Sequence, residues 1–243
     1  MKETVFDEYA CLRELEWDTK YFGLACAKAV LYKPLTIDCW NELKRSFRQY
    51  QFVCIENRNS EPINAQLIGR DTSAFLADVN IQFSKRIESL GTPSREVTIH
   101  NNFKRDDQLL AIAEYRFSRF VEDPELLKRG GDRIYQEWII NSFGRSDKYF
   151  AIFRGYEGPI KGFILHSYTD DACIVELIAV SNNDKRKGIG SKLIDAVERF
   201  TVQKGIAEMK VGTQLRNTAA LNFYHKTGFR QVSSHQIYHL WNS

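Results

Sequence analysis

Much of what this 243-residue chain could be is excluded by what it lacks. It has no marked excess of one charge: Lys and Arg number 34 against 31 Asp and Glu, a net charge of +3. Composition therefore predicts no nucleic-acid partner, and any basic function must be local. No apolar run approaches the roughly 20 residues that a membrane-crossing helix needs, so no membrane segment is expected. The five cysteines (Cys11, Cys26, Cys39, Cys54 and Cys173) are odd in number and form no CxxC pair, which fits reduced thiols rather than a disulfide framework. The chain opens Met1-Lys2-Glu3-Thr4 without an apolar signal region, so a cytoplasmic location is expected. It also lacks a fixed short repeat and any low-complexity tract. A globular protein with an ordinary hydrophobic core remains, long enough for one large domain or two small ones.

The patterning suggests two units. In the first, Ala27 to Tyr32 reads as a strand, and Asp38 is a candidate cap for a helix with Trp40, Leu43 and Phe47 on one face. Phe52 to Ile55 is a short apolar run. Phe75, Ala77, Val79, Ile81 and Phe83 then alternate with polar residues, the period of a half-buried strand. Gly91-Thr92-Pro93-Ser94 marks a junction, giving an accessory α/β unit over 1–92 and a second domain over 93–243. The second unit begins with a strand at Val97 to Ile99, a helix from about Asp107 to Phe117, and another from about Asp132 carrying Ile134, Trp138 and Ile139. Three strands follow without helices between them: Tyr149 to Phe153, Ile160 to Tyr168 and Ala172 to Val180. Their links, Gly155-Tyr156-Glu157-Gly158-Pro159 and Thr169-Asp170-Asp171, are turn-like. This is an antiparallel meander. A helix, Met209 to Gly212 as a strand, a second helix and a strand at His235 to Trp241 complete an α/β pattern.

The stretch after the meander carries chemistry. Strand Ile174-Val175-Glu176-Leu177-Ile178-Ala179-Val180 runs through Ser181 to Lys185-Arg186-Lys187-Gly188-Ile189-Gly190 into a helix with Leu193, Ile194, Val197 and Phe200 inward. Glycines admit a phosphate close to the backbone, and the first helical N–H groups have no internal partners, so a polyanion suits this turn. A dinucleotide fingerprint would need glycine where Leu193 stands, and a Walker loop would need Gly-Lys-Ser/Thr where the chain has Gly190-Ser191-Lys192. By itself Gly-x-Gly is more often a tight turn beside a solvated basic face.

A second element changes that weighing: Asn217-Thr218-Ala219-Ala220-Leu221-Asn222-Phe223-Tyr224-His225-Lys226-Thr227-Gly228-Phe229. With Lys187-Gly188-Ile189-Gly190 and the preceding strand, it resembles the acetyl-CoA-binding half of the GNAT superfamily. The resemblance implies a GNAT fold, a mixed and largely antiparallel sheet flanked by helices, with a smaller N-terminal α/β domain. It also implies acetyl-CoA as co-substrate. Pyrophosphate would lie on the loop formed by Lys185, Arg186, Lys187, Gly188, Ile189, Gly190 and Ser191. Pantetheine would lie along Ile178, Ala179 and Val180, with further contacts from Asn217 and Phe223. Where the family loop often begins with Gln or Arg, this chain has Lys185, which keeps the charge but not the fork. A narrower resemblance, to the TDP-fucosamine acetyltransferase family, rests on Leu15-Glu16-Trp17-Asp18-Thr19-Lys20-Tyr21-Phe22-Gly23, Ser118-Arg119-Phe120, Tyr135-Gln136-Glu137-Trp138-Ile139 and Thr213-Gln214. It implies acetylation of the amine of a nucleotide-linked 4-amino-4,6-dideoxyhexose.

Amine acylation needs an aimed neutral amine, a stabilised oxyanion and a proton for the departing thiolate. The resemblance assigns the last role to Tyr224, although such an aromatic on an amphipathic helix is usually core. Asn217 and Gly228 also read as the N-cap and C′ residues of that helix. For the base, Glu176 competes evenly with its reading as an outward, solvated strand residue, and Glu137, His166 and Asp171 stay open. Arg119, Tyr135, Trp138 and Gln214 are candidates for the acceptor pocket, with Trp138 also fitting a core stripe. His235 and His239 lack neighbouring ligands, so no metal is expected. Another amine acceptor and a noncatalytic acyl-CoA sensor are the competing functions. A homodimer is a further expectation, because C-terminal strands of this fold often pair or exchange.

Overall fold

The computed structural model describes residues 3–88, 95–115, 117–155 and 158–242. The junction expected at Gly91 to Ser94, and Tyr156 and Glu157 of the first meander turn, lie outside them.

The first strands are β1 (Glu3–Phe6), β2 (Ala10–Glu14), β3 (Cys26–Leu31), β4 (Phe52–Asn57) and β5 (Phe75–Arg86). Helices α1 (Glu16–Phe22), α2 (Ile37–Phe47) and α3 (Pro62–Asp71) lie between them. Helix α2 buries Trp40, Leu43 and Phe47, at helical spacing. Its cap is Thr36 rather than Asp38: the Thr36 side chain accepts from the Cys39 N–H at 3.2 Å, and Asp38 sits in the first turn.

After β6 (Val97–Asn101) come α4 (Gln108–Ile112), α5 (Arg119–Glu122), α6 (Pro124–Leu127) and α7 (Ile134–Ile140). The helix expected over 107–117 ends early, where Ala113 leaves helical geometry at φ −76° and ψ 61°. The meander follows as β7 (Tyr149–Arg154), β8 (Ile160–Tyr168) and β9 (Cys173–Val180), then α8 (Ile189–Gln203), β10 (Glu208–Gln214), α9 (Thr218–Lys226) and β11 (Arg230–Trp241). Among the described residues, no helix is long and apolar enough to cross a membrane.

The strands form one 11-stranded sheet in the order β1-β2-β3-β4-β11-β5-β10-β9-β8-β7-β6. Among the described residues, only β3 with β4 and β9 with β10 pair in parallel. The last strand, β11, lies between β4 and β5 and is bonded to both.

Two details of this sheet set up the site. First, β9 and β10 pair only from Cys173–Met209 to Val175–Val211. Beyond that, β10 continues on β5 and β9 continues on β8, so the facing edges of β9 and β10 diverge. Second, Leu165 faces Leu177 while His166 faces Val175, which leaves Glu176 as the extra residue of a β-bulge. The bulge reverses the alternation. Val175 packs into the core beneath α8 with Leu193, Ile194 and Val197, whereas Leu177 packs on the other face with Leu109, Ile139 and Phe163.

Candidate active site

The loop from β9 to α8 has the properties of an anion cradle. Arg186 (φ 64°) and Gly188 (φ 79°) both adopt left-handed backbone, and no side chain caps α8. A methyl group added at Gly188 would meet nothing within 4 Å, so the space before the helix is open. The free N–H groups and dipole of the 15-residue α8 point into it. Lys185 donates to the Asn182 side chain at 2.6 Å and Lys187 to Asp184 at 3.0 Å. The Lys187 hydrogen bond, then that of Ser181, holds the Asp184 carboxyl below its usual range. Gly190 serves a close approach: a β-carbon there would stand 3.1 Å from the Phe223 ring, so this glycine lets α9 seat on the first turn of α8. Ile189 is buried in the same core, and Ser191 is half-buried beside it.

On α9, Asn217 is the N-cap, accepting from the Ala220 N–H at 3.1 Å. Gly228 follows the C-cap Thr227 with φ +87°. Tyr224 is 3% exposed, with Phe223, Phe83 and Phe229 ring centroids 5.4, 5.5 and 5.7 Å away. Burial pushes its phenol up, so the group stays protonated at neutral pH, as a proton donor to sulfur must. The Tyr115 hydroxyl, also buried, has no hydrogen-bond partner among the described residues. Burial first, then the phenols of Tyr135 and Tyr224, push it up.

Glu176 is not the solvated strand residue that simple alternation allowed. Its side chain is 8% exposed and accepts from Lys148 Nζ and the Ser167 hydroxyl, each at 2.5 Å, and from Trp138 Nε1 at 3.0 Å. The bulge aims the carboxylate away from α8 toward α7, and three donors fix it there. Of the other bases considered, His166 is closed in by Tyr149, Tyr168 and Phe200, and burial holds its pKa down to about 3. Asp171 is exposed and paired with Lys210, while Glu137 is half-buried on α7.

Beside Glu176 opens a cavity of about 410 Å³, within the range of small-molecule sites. Trp138 and Lys148, both ligands of the Glu176 carboxylate, lie in its wall, as do Arg13, Trp17, Lys28 and Arg119. Of the acceptor candidates, Arg119 and Trp138 therefore line one cavity. Trp138 is 41% exposed rather than core. Tyr135 stands behind the wall, 4.5 Å from the Tyr115 ring and edge-on to Phe120. Gln214 ends β10 opposite Asn80 and does not line the cavity. Arg119 lies over the Phe120 ring at 4.3 Å, and its buried Nε has no partner among the described residues.

Sequence reasoning missed Asp78, Tyr115, Lys148 and Arg13. Asp78 Oδ2 is buried without a partner among the described residues; burial raises its carboxyl, and the Arg119 charge opposes that rise. In sequence it was simply a polar position of an alternating strand.

The chain has recognisable relatives. The profile of the Acetyltransferase (GNAT) family matches residues 105–229, more than half of the chain. The spore coat polysaccharide biosynthesis protein SpsD of Bacillus subtilis is 32% identical over 134 residues, covering 54% of this chain and 45% of that protein's own length. A dTDP-fucosamine acetyltransferase of Escherichia coli O6:H1 is 24% identical over 228 residues, covering 90% of this chain and 93% of its own. In fold, a GCN5-related N-acetyltransferase from Kribbella flavida superposes with a TM-score of 0.63 at 12% identity, over 100% of this chain and 90% of that one. The chain belongs to the acetyltransferase (GNAT) family of N-acetyltransferases.

Proposed function

We propose that the protein transfers the acetyl group of acetyl-CoA to the amine of a nucleotide-linked 4-amino-4,6-dideoxyhexose. The observation that carries this reading is the bonding of Glu176, on the open stretch of β9, to Trp138 and Lys148 of the cavity wall. That contact joins a cofactor edge to an acceptor cavity. The loop Lys185 to Ser191 fits the pyrophosphate of coenzyme A, and the diverging edge at Ile178, Ala179 and Val180 leaves backbone groups for the pantetheine amides. Phe223 borders the loop from α9 against Gly190, and Asn217 at the start of that helix is assigned a further coenzyme A contact.

Acetyl-CoA supplies an activated acyl group. The protein's part is to hold the thioester carbonyl near a β9 N–H, accept a proton from the incoming ammonium, and return one to the thiolate from Tyr224. Glu176 anchors the ammonium side electrostatically and serves as base by exchanging one of its donors for the amine. Arg119 and Trp138 bind the acceptor, and Tyr135 supports the wall behind them through Phe120. A cationic acceptor such as a polyamine would call for an acidic groove. This cavity instead gathers Arg13, Lys28, Arg119, Arg145 and Lys148 around Asp18, which supports an anionic acceptor. The relative named as a dTDP-fucosamine acetyltransferase supports the same class.

Residues 1–92 act in this reading as an accessory unit that completes the cavity around the catalytic unit, 93–243. The core of Trp40, Leu43, Phe47, Ile55 and Ile68 supports that division, with β11 adding Tyr238 and Leu240 to it and β5 giving Ile81 and Phe83 to the catalytic core. The five free cysteines agree with a reducing, cytoplasmic setting.

The test is thiol release from acetyl-CoA over a panel of acceptors: nucleotide-linked aminodeoxyhexoses, free amino sugars, polyamines and peptides. Selective turnover of an aminodeoxyhexose nucleotide is expected. Turnover of the other amines alone would remove the sugar, and coenzyme A binding without turnover of anything would indicate a sensor.

A further inference from the structure

The charges around the cavity are not equally committed. Lys28 is paired with Glu56 at 2.5 Å, Lys148 with Glu176 at 2.5 Å and Arg145 with Asp147 at 2.6 Å. Arg13 and Arg119 have no such pairing among the described residues, and each carries a buried Nε without a hydrogen-bond partner there. They come from β2 and α5 and meet at one cavity. Leaving a buried donor unmade is costly, so two unspent guanidiniums facing one space indicate a ligand with two anionic groups. The acid in the cavity lining, Asp18, is half-buried: desolvation raises its carboxyl, against the lowering charges of Arg119, Lys28 and Arg13, and the Asp78 carboxylate also acts on Arg119.

Two aromatic groups give the cavity a direction. Trp17 is 40% exposed, lines the cavity and is stacked on Tyr21 at 5.0 Å and 8°, an aromatic platform contributed by the N-terminal residues. Trp138, also in the lining, bonds Glu176 of β9. We infer that the cavity seats a nucleoside diphosphate, with the diphosphate between Arg13 and Arg119, the base on Trp17, and the group attached to the second phosphate turned toward Trp138 and β9. The inference rests on the proposed acetyl transfer only for what that attached group is. It assigns the accessory residues the nucleotide end of the acceptor.

The test is calorimetric binding of thymidine diphosphate, inorganic pyrophosphate and thymidine, with coenzyme A saturating so that the α8 loop is filled. Arg13→Gln is expected to weaken both phosphate-bearing probes by at least tenfold, with Arg13→Lys intermediate because it keeps the charge and loses the fork. Trp17→Ala should weaken the nucleotide and leave pyrophosphate unchanged. Unaltered coenzyme A affinity and melting temperature would show each variant to be folded. Wild-type protein that fails to bind thymidine diphosphate, or binds it equally well in Arg13→Gln and Trp17→Ala, would overturn the inference. Its fate is separable from that of the proposed function. Nucleotide-sugar turnover with an unchanged KM in Arg13→Gln would sink the subsite alone, whereas diphosphate binding without turnover of any nucleotide sugar would sink the proposed reaction alone.

Discussion

His166 shows how a single residue's surroundings decide its role. A histidine in a family of acid-base enzymes invites a catalytic reading, but this ring is fully buried among aromatic side chains. Burial, with a smaller effect of the Lys204 charge, lowers its pKa from 6.5 to about 3. Between those values the unfolded chain binds a proton that the folded ring refuses, so stability falls as pH drops below 6.5. The slope from this residue is at most about 1.4 kcal/mol per pH unit. Urea unfolding of wild type and His166→Phe at pH 7, 6 and 5 should show a shallower pH dependence in the variant, whereas parallel curves would remove His166 as the cause. The glycine loop could be located because its residues are contiguous, whereas Tyr224 was singled out by a resemblance, since its helical spacing alone reads as core. Glu176 and Trp138 were ambiguous for physical reasons. A one-residue bulge reverses the phase on which an alternation argument depends, and the apolar stripe of a seven-residue helix need not reach the core.

Elements were legible where they are long and periodic. The meander, α8 and the α9 frame follow from apolar spacing and turn residues. Helix α3 was missed because Ile63, Leu67 and Ile68 give a weak stripe interrupted by Gly69, although Pro62 at its first position and Glu61 before it are ordinary start signals. The helix predicted over 107–117 was too long because helical spacing does not report where the backbone turns away. The contact between α8 and α9 yields a sharper expectation. Gly190→Ala would place a β-carbon 3.1 Å from the Phe223 ring, so α9 must shift from the loop. Acetyl-CoA affinity should drop by about tenfold while the melting temperature changes by only a few degrees, a cost of roughly 1–3 kcal/mol for local overpacking. Wild-type affinity in the variant would mean that the α8–α9 seat does not set the cofactor site.

For the whole molecule, the sequence suggested two consecutive units, and the sheet joins them through long-range pairings that local patterns do not carry. The C-terminal strand β11 fills the space between β4 and β5 and is bonded to both. Removing the residues after Phe229 would expose the facing edges of β4 and β5. The truncated protein should aggregate and lose cooperative unfolding, as read by gel filtration and thermal melting; a monomeric, cooperatively melting product would show that the sheet does not depend on β11. The cavity has the same long-range origin: Arg13, Arg119 and Lys148 are scattered in sequence, and the tertiary fold gathers them at one cavity. The account as a whole stands on one reaction centre shared by that cavity, the open edge of β9 and the buried phenol of α9. The most direct measurement is steady-state acetyl transfer to a nucleotide-linked aminodeoxyhexose by wild type and Tyr224→Phe. A fall in kcat of about 10²- to 10⁴-fold, as for loss of a general acid, with unchanged coenzyme A affinity, is expected; full activity in Tyr224→Phe would contradict the account at its centre.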